Sequence, residues 1–447
     1  MAPAAFTCAD GPDVPFSRYD LDAQPTVVLA VSGGSDSTAL MLLARRWFAA
    51  HAARVQLVAV TIDHGLRAES AAEARSVAEL AARLGVEHRT LRWTGAKPGS
   101  GLQAAAREAR YRLLAEAAQQ AGAARVLTGH TLDDQIETVA MRSLRGGGPG
   151  LAGMAHATLY DGSVWIVRPL LGLRRAALRD MLTRQGIGWI DDPSNENPNF
   201  ERVRQRSAMA APGTAPDPST IEAAGAARFD LATRAAVLVE RHATTVAPGL
   251  VRLSPDFAAV ADAEATLLAF RALLATIGGR EHLPEAERAR QLLASLAMPG
   301  RSTLSRAVVD VRKAGIYLLR ERRGLPEPAE AVDGAVWDGR FRLRLAGDAG
   351  RAMVAAGGAS PPKAGSDGSS DVPASLLRAA SAAEPRLLCA HGSGIPASGG
   401  GVPERLVSPW ARFLPCFDHA LATALARRIG AASFPAPPFA GHNEAKA

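Results

Sequence analysis

At 447 residues the chain is long enough for two or three domains, and a hydrophobic content of 47% supplies a core. Its net charge is +7, and arginine supplies nearly all the positive charge, with only four lysines (Lys97, Lys313, Lys363, Lys446); the excess suits a polyanionic partner, although an arginine-rich coding bias would give the same numbers. Cys8, Cys389 and Cys416 lie far apart with no CxxC, which argues against a disulfide framework or a structural zinc site and fits a reducing cytoplasm, and no run approaches the ~20 apolar residues of a membrane span.

Residues 1–24 read as a loose leader, and Asp10 and Asp13 speak against a signal peptide. Thr26 to Val31 is an apolar, β-branched run of strand length. Gly33 and Gly34 break it, and Ser35-Asp36-Ser37 leads into Ala39–Leu43, which has the character of a buried helix. In a strand–glycine–helix turn, backbone N–H groups converge on an anion, and glycine lets a phosphate reach the backbone. Ser32, Ser35 and Ser37 add hydroxyl donors, and Asp36 adds a carboxylate able to hold Mg2+ between phosphate oxygens. No lysine follows, so this is not a Walker A loop; the plain alternative is a βα turn with a serine cap.

A second strand over 55–62 ends in Asp63-His64-Gly65-Leu66-Arg67. A helix over 68–84, a strand over 87–93, a helix over 101–120 and a strand over 125–128 follow, the last running into Gly129-His130. This βαβαβαβ alternation predicts an α/β fold, a parallel doubly wound sheet covered by helices on both faces. Ligands of such sheets lie beyond the carboxyl ends of the strands, where Ser32, Asp63 and His130 project. Taken alone, Asp63-His64-Gly65 reads better as a turn that uses glycine for its positive φ.

The next helix begins after His130, and Thr131 with Asp134 has the spacing of a capping box. That accounts for one carboxylate of three. Asp133 and Glu137 stack at i, i+4 and repel each other by a few tenths of a kcal/mol, a cost that Mg2+ held between them and Asp36 would remove.

The hexad Ser32-Gly33-Gly34-Ser35-Asp36-Ser37 resembles the pyrophosphate loop of the N-type ATP pyrophosphatases, Rossmann-like enzymes that adenylate a substrate oxygen and release pyrophosphate. His130-Thr131-Leu132-Asp133-Asp134-Gln135-Ile136-Glu137-Thr138, Arg142, Arg145-Gly146-Gly147-Gly148 and Gly150-Leu151-Ala152-Gly153-Met154 narrow this, together with Arg168-Pro169-Leu170-Leu171, Arg175, Asp192-Pro193-Ser194-Asn195 and Phe200–Arg206. Across about 26–210 the chain resembles the tRNA(Ile)-lysidine synthetase family; Val203 departs from it, standing where an asparagine is usual.

The resemblance implies an enzyme that uses ATP and Mg2+ to adenylate the oxygen on carbon 2 of the wobble cytidine of tRNA(Ile) with a CAU anticodon. Free L-lysine then displaces AMP, giving lysidine and changing codon reading from AUG to AUA. It places ATP on Ser32, Gly33, Gly34, Ser35, Asp36, Ser37, Asp63, His64 and His130, and the metal on Asp36, Asp133 and Glu137. Arg202 and Arg206 would clamp phosphate or the tRNA backbone, although solvated arginines on a surface helix fit their spacing as well. The glycine-rich 146–153 segment would wrap the flipped base, with a flexible connection as the alternative. A tRNA thiolase shares the loop but needs paired cysteines or a cluster, which this chain does not offer.

The expected organisation is a catalytic domain over 25–212, a mainly helical tRNA-binding domain over 218–325, and a C-terminal region over 330–447. Helices are expected over 220–245, 256–277 and 285–297, and a strand pair within 303–320. Val336–Leu345 reads as one strand with Arg340, Arg342 and Arg344 on a single face, and 347–375 is a low-complexity stretch expected to be disordered. In the family such C-terminal regions help to hold tRNA. No membrane partner is expected, and the oligomeric state stays open.

Overall fold

The computed structural model describes residues 16–65, 69–144, 146, 148–191, 204–206, 209, 215–345, 352–357, 372–388 and 401–439. The chain forms two compact units. One holds the residues up to Phe229 with Pro415–Phe417 and the segment from Pro435; the other holds Asp230–Leu414 and Asp418–Phe434. Among the described residues no helix is long and apolar enough to cross a membrane.

The first unit is built on β1 (Thr26–Ala30), β2 (Gln56–Asp63), β3 (Glu87–Arg92), β4 (Arg125–Thr128), β5 (Ala157–Tyr160) and β6 (Val164–Val167), in the order β5-β6-β4-β1-β2-β3. Every neighbouring pair is parallel except β5 with β6. Helices α1 (Ser35–His51), α2 (Ser70–Arg83), α3 (Leu102–Gln120), α4 (Leu132–Ser143) and α5 (Arg175–Arg184) complete it. Consecutive apolar residues in β1 are buried on both faces, as a doubly covered strand requires. Val28, Val58, Val60, Val126 and Ile166 pack in one cluster with Tyr111, Leu114 and Ala118 of α3.

This is the doubly wound parallel sheet the sequence predicts, with one addition. The β5–β6 hairpin turns at Asp161-Gly162, both at positive φ (50° and 69°), a primed turn that the Asp-Gly pair between β-rich runs specifies. Strand order fixes the site. β1 lies between β2 and β4, with Ala30 opposite both Val60 and Thr128, so the direction of winding changes at its carboxyl end.

The second unit carries more sheet than the sequence reading allows. The helix expected to reach residue 245 ends at His242 (α6, Pro218–His242), because the β-branched Thr244-Thr245-Val246 run and Pro248-Gly249 turn the chain into a hairpin. Its strands, β7 (Ala243–Ala247) and β8 (Leu250–Leu253), join β9 (Gly300–Leu304), β10 (Ala307–Arg312) and β11 (Gly315–Arg320) in a five-stranded antiparallel sheet. Helices α7 (Ala263–Gly278) and α8 (Ala286–Ala294) lie between β8 and β9 in sequence.

Beyond Pro326 two expectations are corrected. Val336–Leu345 is not one strand: β13 (Val336–Trp337) and β14 (Phe341–Arg344) form a hairpin, following β12 (Ala329–Glu330). Asp338 and Gly339 both take positive φ, and the Arg340 amide donates to Trp337 O (3.1 Å). The break removes Arg340 from the shared face and buries it, leaving Arg342 half-buried and Arg344 exposed. The low-complexity stretch falls largely outside the described residues, yet Met353–Ala356 within it forms β15, paired with β16 (Pro385–Leu388).

Candidate active site

The hexad closes on itself through Ser37. The Ser37 hydroxyl donates to Gly34 O (3.0 Å) and accepts from the Ser32 amide (3.1 Å), and lies 3.2 Å from Ser32 Oγ. Thr38 Oγ1 donates to Gly33 O (3.2 Å). Ser37 is therefore a tie inside the loop, while Ser32 stays exposed at its mouth beside the first amides of α1, which have no acceptor within the helix. Gly33 has φ +89°, and a Cβ there would stand 2.6 Å from Ile190 Cδ1, in the segment whose Ile190 amide donates to Gly33 O (2.9 Å). At Gly129 a Cβ would stand 2.8 Å from Asp36 O, so glycine lets the loop after β4 press against the first turn of α1.

The other strand ends arrive beside it. Asp63 Oδ1 accepts from the Gly65 amide (2.8 Å), and Gly65 has φ +58°, so the Asp63 side chain shapes its own turn. His64 meets Trp93 edge-on at 6.0 Å. Burial, then the charges of Arg110 and Lys97, outweigh Asp63 and hold its pKa below the usual histidine value, so the ring is neutral near pH 7. His130 Nδ1 pairs with Thr128 Oγ1 at 2.9 Å.

The acidic helix α4 is where geometry and expectation part. The capping box is present: Asp134 Oδ2 accepts from the Thr131 amide (2.8 Å) and hydroxyl (3.1 Å). The three carboxylates assigned to the metal each have a partner of their own. Arg175 Nε donates to Asp36 Oδ2 (2.8 Å), and its Nη2 to Asp134 Oδ1 (3.3 Å). The Arg175 amide donates to Asp133 Oδ2 (2.7 Å), with Arg174 Nη1 3.4 Å from Asp133 Oδ1. Arg206 Nε donates to Glu137 Oε1 (2.9 Å). The repulsion at Asp133 and Glu137 is thus relieved by separate arginines rather than by one ion. Among the described residues no three His, Cys, Asp or Glu side chains are grouped to hold a metal. The expected set of Asp36, Asp133 and Glu137 does not fit a resident Mg2+.

Arg206 stands where it can reach the site; Arg202 lies outside the described residues, as does the Asp192–Asn195 stretch. Gly148–Ala152 is a short 3-10 turn held to α4: Arg142 Nη1 donates to Gly153 O (2.6 Å), and the Gln135 amide exchanges hydrogen bonds with the Met154 backbone at 2.9 and 2.6 Å. A Cβ at Gly153 (φ +61°) would lie 2.4 Å from Gln135 Oε1. Sequence reasoning gave no role to Arg175 or Arg179, and Arg179 Nε donates to Ser35 Oγ (3.2 Å). Their i, i+4 spacing at the start of α5 was the available signal. Of the cysteines, Cys416 is buried; Cys8 and Cys389 lie outside the described residues.

A glycine- and serine-rich loop at the switch point of a parallel sheet, opening an α-helix, defines a PP-loop domain, and residues 16–211 match that domain family. The similarity does not stop there. The chain is 49% identical to the tRNA(Ile)-lysidine synthase of Mesorhizobium japonicum, covering 95% of this chain and 96% of that protein. It is 41% identical to the enzyme of the same name from Rhizobium meliloti (92% and 93% covered) and 44% identical to that of Brucella ovis (73% and 75%). The chain belongs to the tRNA(Ile)-lysidine synthase family.

Proposed function

We propose that the protein joins free L-lysine to carbon 2 of the wobble cytidine of tRNA(Ile) bearing a CAU anticodon, in the cytoplasm, with MgATP as co-substrate. The observation that carries this reading is the extent of the similarity: it runs through the second unit as well as the PP-loop domain, which other base-modifying enzymes share. The cytosine oxygen attacks the α-phosphorus and pyrophosphate leaves. The lysine amine then attacks carbon 2, and the C–O bond breaks to release AMP. The product reads AUA in place of AUG.

The chain's part is positioning and charge. The first amides of α1 and the exposed Ser32 hydroxyl receive the departing pyrophosphate, and Asp63, His64 and His130 line the strand ends across which adenosine lies. A neutral His64 offers hydrogen bonding without adding charge. Arg206, with Arg202, draws a phosphate of ATP or of the tRNA backbone. The anchored turn at Gly148–Ala152 supports the cytosine, and the second unit supplies arginines to the tRNA backbone.

Pyrophosphate exchange into ATP, measured with unmodified tRNA(Ile) and followed by labelled lysine, tests the assignment. Exchange that depends on the tRNA and yields lysine-labelled tRNA is expected. Exchange without lysine incorporation would point to another base modification, thiolation first, and no exchange at all would end the reading.

A further inference from the structure

Three carboxylates at the mouth of the loop converge on a single residue. Arg175 gives Nε to Asp36, Nη2 to Asp134 and its backbone amide to Asp133. It is held there from both sides: the Leu132 amide that opens α4 donates to Leu173 O (2.9 Å), and one turn along α5 Arg179 reaches Ser35. Its guanidinium therefore sits between Asp36 and Asp134, where a divalent ion bridging loop and helix would have to sit. An arginine cannot leave by deprotonation; burial works against its charge, but Asp36 and Asp134 carry its pKa above the ordinary value. It can leave only for another acceptor, and a phosphate oxygen is the acceptor its planar fork suits as well as a carboxylate.

We propose that Arg175 is the resident counter-cation of the nucleotide-free site: it keeps Asp36 and Asp134 closed to free divalent ions and turns to phosphate when MgATP enters. Arg175 on this account makes metal arrive with the nucleotide rather than before it. The benefit is charge balance at each stage. Asp36 faces one cation before binding, and exchanges it for another when the phosphates bring their own. The proposal rests on the reading that this loop takes ATP, and on nothing about tRNA or lysine.

Mn2+ binding to the full chain without nucleotide, followed by loss of the free-ion EPR signal, tests it with a readout independent of activity. Wild type is expected to show no site tighter than about 1 mM. Arg175→Gln is expected to gain one site that binds about tenfold tighter or more, because two carboxylates lose their cation. Adding Asp36→Asn to that variant should remove the gained site. A stoichiometric Mn2+ site in nucleotide-free wild type, tighter than that limit, overturns the proposal without reference to any variant. So does a folded Arg175→Gln chain with no gain. Failure of lysine incorporation with this pattern intact would sink the assigned reaction and leave the role of Arg175 standing.

Discussion

Each unit holds a knot of arginine and aspartate, three aspartates around Arg175 in the first and three arginines around Asp338 in the second, and the two knots are built to different ends. In the second unit Asp338 receives Arg306, Arg320 (3.0 Å) and Arg340 (2.7 Å), and Arg340 continues to Glu384, which also takes Arg405. The Asp338 side chain is 0% exposed and that of Arg320 1%. In the first unit Asp36, Asp134 and Arg175 keep side-chain exposures of 17%, 12% and 22%. A knot centred on a fully buried aspartate, with Arg320 and Arg340 buried beside it and Arg306 partly exposed, holds structure. A knot with open edges, at the mouth of a phosphate loop, can exchange partners. Composition does not separate them; access to the carboxylates does.

The largest effect should come from breaking the open knot. Asp36→Ala is expected to lower tRNA-dependent pyrophosphate exchange by about 100-fold or more, because the carboxylate that holds Arg175 and meets the cation of MgATP is lost. Affinity for tRNA should hold, since nothing in the second unit changes. More than about a tenth of the wild-type exchange rate would remove Asp36 from the machinery.

The sealed knot should show the opposite split. Asp338→Asn leaves three guanidiniums sharing a neutral amide in a buried place. Burial already holds the Arg340 and Arg306 pKa values below normal in spite of Asp338. Loss of one partner of a buried pair costs about 3–5 kcal/mol. A thermal melt should show the second unit failing first, and a variant as stable as wild type would mean the cluster is better solvated than its geometry says.

These two aspartates also mark how far the sequence could be read. The loop, its strand and the parallel sheet were legible, because apolar periodicity and a hexad of small and polar residues are local signals. The capping box of Thr131 and Asp134 was legible for the same reason. The counter-ions were not: Arg175 meets Asp36 across 139 positions, and no local pattern records that pairing. Arg340, Arg342 and Arg344 show the same limit from the other side. Their alternation promised one face, but Asp338-Gly339 turned the chain, and a distant Glu384 fixed Arg340 inside. The second unit was the less legible because its strands are short, and because β8 finds β11 and β15 finds β16 only past intervening elements.

The pH response sharpens the comparison at a smaller scale. Burial raises the Asp36 pKa above 3.8, and Arg175 offsets only part of that. An acid with a higher pKa folded than unfolded holds its proton more tightly in the folded chain. Its contribution to stability is therefore full below 3.8 and is lost as pH rises through the raised folded value. At neutral pH the ionised carboxylate works against the fold, so Asp36→Asn should match or exceed the wild-type melting temperature there and lose that advantage in acid. An Asn variant less stable at neutral pH would make Asp36 a structural acid of the Asp338 kind.

The smallest effect on the fold belongs to Arg344, which neither knot uses. Arg344 pairs with Glu404 at 3.0 Å with both side chains about half exposed (50% each), a pair worth about 0–1 kcal/mol at most. Arg344→Ala should leave the melting temperature nearly unchanged. If Arg344 meets a tRNA phosphate, the slope of log affinity against log salt should fall by about one. Deleting everything after Pro326 is a poorer probe, since it removes Asp338 and strands Arg306 and Arg320 inside the remaining unit. A point variant keeps the buried cluster whole. Arg340→Ala is its control: that side chain is buried on Asp338 and Glu384, so it should cost stability whether or not tRNA binds this face. A salt slope unchanged in Arg344→Ala, at intact stability, would take this arginine out of the tRNA surface and leave that role to others.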